Sequence, residues 1–157
     1  MKSMAKLSIA AMATMTLGAQ ANAGEPASTA SSRCVGVVFN QEFIGNFPQA
    51  PAACQDVVER NGTKKIHFQA RVAQTSRNGV TLDFMNAFGN PLPGKPLAFN
   101  PPPDLNLTVN GKRTKASDLK RGDVLDFWVP ENMLGFTASP EANDLISFSL
   151  GNGNGAR

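Results

Sequence analysis

The sequence predicts a mainly β domain: a small antiparallel barrel of the OB or SH3-like type, with six or seven short strands and one short helix, stapled by one disulfide. Three observations carry this. Leu105 to Pro130, LNLTVNGKRTKASDLKRGDVLDFWVP, reads as strand, tight turn, strand, single helical turn, glycine turn and strand, with positive φ available at Asn110-Gly111 and Gly122. Lys65 to Gln74 alternates, and Val80, Leu82 and Phe84 repeat the alternation after Asn78-Gly79, the pattern of a hairpin. Glycine turns are spread along a chain with 14 Gly and 11 Pro, which favours many short strands over long helices.

The first 23 residues stand apart. Lys2 and Lys6 precede an apolar stretch from Leu7 to Leu17, and Ala21-Asn22-Ala23 places small residues where a signal peptidase reads. The stretch falls well short of the ~20 residues a membrane-spanning helix needs. It predicts a cleavable secretory signal over 1–23, a mature start near Gly24, and a periplasmic or secreted protein without stable membrane insertion. No cysteine precedes Cys34, which disfavours a lipid anchor. Removing Lys2 and Lys6 leaves 13 Lys+Arg against 12 Asp+Glu, so the basic balance belongs largely to the leader. Nucleic acid would select clustered cations. Lys64-Lys65 and Lys112-Arg113-Lys115 are too short and scattered for that.

The remaining length suits one domain, over 34–150, with a disordered lead-in at 24–33 and a flexible tail at 151–157. The only two cysteines, Cys34 and Cys54, predict one structural disulfide. Their spacing is not that of a C-x-x-C redox pair. Val35 to Phe39 is apolar and β-branched, hence a strand. Residues 52–60 admit two readings. Pro51 and Ala52-Ala53 suit the first turn of a helix ended by Asn61-Gly62, whereas 56–60 and 63–68 could flank the same Asn-Gly as a hairpin. The first-turn residues favour the helix.

Along Lys65 to Gln74, Ile66, Phe68, Ala70 and Val72 share one face, and Lys65, His67, Gln69 and Arg71 the other. The prolines between Asn90 and Pro103 predict a long connecting loop, partly polyproline II. Leu105, Leu107 and Val109 form the next strand, Ser117-Asp118-Leu119 a capped helical turn, Val124 to Val129 a strand, and Leu145 to Leu150 a last strand with Ile146, Phe148 and Leu150 on one face.

Catalytic motifs are sparse. His67 is the single histidine; no serine sits in G-x-S-x-G, and a metal centre needs several ligands at fixed geometry. No cofactor, metal or catalytic residue is therefore assigned. Asp118 and Asp123 read as turn residues and Asp126 as a solvent-facing strand position rather than as a glycosidase pair. Arg121-Gly122-Asp123 is explained by its turn, and the sequons at Asn61 and Asn106 matter only in a eukaryotic route.

What remains points to contact. Phe127 and Trp128 are consecutive on a strand and face opposite sides. Trp128 therefore lies outside the barrel unless a loop covers it, through Phe88, Leu97 or Phe99. Trp128, Phe99 and His67 are the candidate binding residues. The first expectation is a monomeric, non-enzymatic envelope module that docks an unidentified envelope or secreted protein through Trp128 and the Asn90 to Pro103 loop. Two alternatives stand beside it, a small-ligand or metal carrier and an inhibitor of a secreted hydrolase. For the carrier, Leu119-Lys120-Arg121-Gly122-Asp123 in a small exported barrel resembles the periplasmic copper-binding accessory proteins of cation efflux systems, over the second half of the chain. The chain lacks the histidine and paired methionine ligands that such a likeness would require.

Overall fold

A computed structural model describes residues 34–77 and 79–150; the expected signal, lead-in and tail lie outside the described residues. The order is α1 (Gln41–Asn46), α2 (Ala50–Ala53), β1 (Cys54–Arg60), β2 (Thr63–Ser76), β3 (Gly79–Phe84), β4 (Leu97–Phe99), β5 (Asn106–Val109), β6 (Lys112–Lys115), a 3-10 turn (Ala116–Asp118) and β7 (Val124–Pro130). All the strands join one antiparallel sheet, ordered β4-β3-β2-β7-β5-β6, with β1 also paired to β2. The sheet is not closed.

β2 organises the sheet because it is long enough to be shared. Its first half pairs with β1, its second half with β3, and Lys65 to Arg71 pair with β7 on the opposite edge. A shift of register between Val72 and Gln74 bends the strand where it passes to β3. Alternation holds: Ile66, Phe68, Ala70 and Val72 of β2 and Leu125, Phe127 and Val129 of β7 are buried in one core. Onto it pack Phe43 and Phe47. Phe43 lies 5.2 Å from Phe148, 6.0 Å from Phe68 and 6.3 Å from Phe84, ring centre to ring centre. The Cys34–Cys54 disulfide is formed and ties the chain ahead of α1 to the start of β1.

Several expectations change. Residues 52–60 resolve into both alternatives in part: Pro51 starts the one-turn α2, and Cys54 opens a strand. The Asn61-Gly62 turn, with φ of 52° and 75°, is the twisted hairpin type, so the helix over 52–60 is corrected to a hairpin. Val35 to Phe39 is not a strand. Its chain is held instead by Val38 N donating to Glu131 Oε1 at 2.7 Å and Val38 O accepting from Asn132 N at 3.0 Å, while Val35 and Val38 remain exposed. α1 was not expected. Asn40 caps it, its side-chain oxygen accepting from the amides of Glu42 and Phe43.

The proline-rich connection contains β4, whose three residues lie between prolines and keep all their amides; Leu97 and Phe99 are buried. β4 can lie close to β3 because Gly79, at φ +133°, has no side chain: a Cβ there would meet Phe99 O at 2.5 Å. The 3-10 turn has no side-chain cap; the Ser117 hydroxyl bonds Asp118 instead. Leu145 to Leu150 is not a strand but makes single bridges, Phe136 to Ile146 and Ala98 to Ser149.

Candidate functional site

The sheet face away from the core carries the polar chemistry, and strand register assembles it. Asp56 of β1 lies opposite His67 of β2, which lies opposite Trp128 of β7, which in turn bridges to Thr137. Side chains in such a row stand on one face. His67 Nδ1 lies 3.1 Å from Asp56 Oδ1, and Nε2 lies 3.0 Å from Asp126 Oδ1. Asp126 also accepts from Gln69 Nε2 at 2.9 Å. The contact to Asp56 has ion-pair length but an off-axis angle, and Asp56 Oδ1 is buried with no aligned donor. The imidazole stacks on the Trp128 indole, 4.9 Å between centres and 11° between planes.

This corrects two expectations. Trp128, at 9% exposure, is covered, by His67 on its ring and by the returning chain at Thr137 rather than by Phe88, Leu97 or Phe99. Asp126 is buried rather than solvent-facing, because it holds His67 and Gln69 together. Phe99 lies in the core instead, buried against Phe136 at 5.1 Å. Of the three candidate binding residues, the structure brings His67 and Trp128 together and leaves Phe99 in the core.

An imidazole with each nitrogen facing a carboxylate is a cross-strand clip. It links β1, β2 and β7 and shields the indole. His67→Ala is expected to expose the Trp128 ring and to destabilise by about 1 kcal/mol, the scale of one buried polar contact. Since Trp128 is the sole tryptophan, a red-shifted emission with greater acrylamide quenching would register it; an unchanged spectrum would mean the indole is covered without His67.

Beyond Trp128 the chain runs back along β7, then curls over the outer face. Thr137 Oγ1 donates to Ser139 O at 2.9 Å, and Ala142 N donates to Ser139 Oγ at 3.1 Å, so residues 137–142 form a self-bonded turn. Lys65 reaches up to it from β2. Its ammonium donates to Pro140 O at 2.8 Å and to Ala142 O. Lys65 is only 4% exposed although it stands on the polar face of β2. Among the described residues no carboxylate lies within ion-pair distance of it. Beside it a cavity of about 390 Å³ opens between the tip of the β1–β2 hairpin and the 137–145 chain, bordered by Arg60, Pro130, Met133, Glu141 and Leu145. Sequence reasoning missed Lys65, Asp56 and this turn.

The chain matches no protein-family model, no curated protein and no solved structure. Among the described residues, no group of three or more His, Cys, Asp or Glu side chains has the arrangement of a metal site, and no helix is long and apolar enough to cross a membrane.

Proposed function

We propose that this chain is an exported, non-enzymatic binding module that carries a small ligand on the outer face of its sheet. The observation that carries the reading is the cavity beside Lys65: its volume lies within the range of small-molecule sites, and a buried cation without a counter-charge borders it. The covering of Trp128 and Phe99 removes the patch on which docking of a protein through the Asn90 to Pro103 loop depended. Each His67 ring nitrogen meets a carboxylate oxygen of the protein itself, which leaves neither turned towards a substrate proton. Export rests on the leader-like residues 1–23 and is consistent with the disulfide, which persists in oxidising compartments. The single bridges between β7, residues 136–149 and β4 support a half-closed barrel as the finer description of the fold.

A protein partner stays as the second reading because of one loop. Asn86 Oδ1 accepts from the amides of Phe88 and Asn90, both at 3.0 Å, and so fixes a loop whose Phe88 is 89% exposed. Native mass spectrometry of protein recovered from its own exported fraction separates the two. The carrier reading expects a chain beginning at Gly24, short of two hydrogens for the disulfide, with a small-molecule adduct. A bound polypeptide would favour the second reading, and a bare chain would count against both.

A further inference from the structure

The Lys65 cavity has a chemical polarity that narrows its ligand. A lysine ammonium has three donors and no acceptor. Two of those of Lys65 go to the Pro140 and Ala142 carbonyls, and the third has no acceptor among the described residues. Carbonyl dipoles solvate an ammonium only in part, and a charge withdrawn from water without an opposite charge is unfavourable. Arg60 at the rim adds a second cation against the single acid Glu141, so the cavity as a whole favours an anion.

Part of the lining is apolar and open. Met133 and Leu145 border the cavity and are 48% and 45% exposed, two of only five large apolar side chains exposed to that degree among the described residues. Leu145 is held there by close backbone approach: a Cβ on Gly135 would meet Leu145 Cγ at 2.8 Å and Ile146 O at 2.9 Å. Pro130 continues the apolar surface towards Lys65, its partner in the β2–β7 register. One free donor suits one oxygen of a carboxylate. A phosphate, with more charge and more acceptors, would call for several converging donors or a planar guanidinium fork.

We propose that this cavity binds an amphiphilic monocarboxylate, its head group on the Lys65 ammonium and its apolar body against Pro130, Met133 and Leu145. The proposal rests on the small-ligand reading above and specifies its ligand class. A cavity of about 390 Å³ is within the size range that holds a small organic molecule such as a medium-length fatty acid.

The test is calorimetric titration of the disulfide-intact protein with sodium octanoate, 1-octanol and inorganic phosphate. Octanoate should bind, octanol should bind at least tenfold more weakly, and phosphate alone should not compete. Lys65→Met, which keeps the apolar stem, should lower octanoate affinity at least tenfold and leave octanol unchanged. Should that variant fail to fold for want of its contacts to the 137–142 turn, Leu145→Glu at the exposed rim should abolish octanoate binding in a folded protein. Equal binding of octanoate and octanol, or octanoate affinity unchanged in Lys65→Met or Leu145→Glu, would overturn the proposal. If octanoate does not bind but the exported protein carries another small adduct, the carboxylate assignment fails and the carrier reading survives. With neither, both fail.

Discussion

Phe43→Ala is expected to destabilise the fold by about 3–5 kcal/mol. Phe43 is fully buried on the six-residue α1, and its ring contacts those of Phe47, Phe68, Phe84 and Phe148. These come from four separate stretches of chain, so the ring joins α1 to β2, β3 and the last described segment. Removing it leaves a cavity whose walls cannot all collapse inward, because β2 and β3 are fixed by their ladders. Total stability of a domain is of order 5–15 kcal/mol, so the variant would keep a small margin at best. Urea unfolding followed by Trp128 fluorescence would measure it. A loss under about 1 kcal/mol, with an unchanged slope, would show that α1 does not contribute to the core as described.

The second large effect is expected from the disulfide. Cys34 and Cys54 are 20 residues apart, and closing such a loop stabilises by about 3 kcal/mol if the cross-link acts through the entropy of the unfolded chain. For a domain of this size that corresponds to a fall of roughly 10 °C in Tm on reduction or in the Cys34→Ala, Cys54→Ala double variant. The bonded loop contains α1 and α2, so the loss should be felt first by Phe43 and Phe47. Differential scanning calorimetry with and without reductant tests this. Equal midpoints would assign α1's attachment to ring packing alone.

Much of the sheet was legible because period-two patterning states which residues face inward. Ile66, Phe68, Ala70 and Val72, and Val80, Leu82 and Phe84, are all buried as their alternation requires. The disulfide followed from two cysteines and nothing else to do with them. Local signals failed where the structure answers to distant partners. Val35 to Phe39 has strand composition, but the partners it meets are Glu131 and Asn132, which offer a few bonds and no ladder. Leu145 to Leu150 likewise makes one backbone bridge to each of two different neighbours and no ladder.

The site was half legible. Taking the Asn61-Gly62 hairpin fixes the count: Arg60 faces Thr63, and four steps further Asp56 faces His67. That pairing is legible in the sequence, although Pro51 and Ala52-Ala53 signal a helix over the same residues. Asp126 could not be found that way, because β7 pairs with β2 across a separation that no turn specifies. Nor could Lys65, whose burial is caused by the turn Thr137 to Ala142, a mix of small, proline and acidic residues without any periodic signal.

The sharing of β2 between early and late partners also sets an order of events. β2 ends at Ser76, yet the strand that fills its other edge is not complete until Pro130, and Phe148 supplies a ring to the same core. Pairings of such long sequence separation form late, after most of the chain is present. A chain emerging from its amino end therefore cannot close this core while its last quarter is still being synthesised. Until then the apolar faces of β2 and β3 stay uncovered, and the incomplete chain is open to association with other exposed apolar surface.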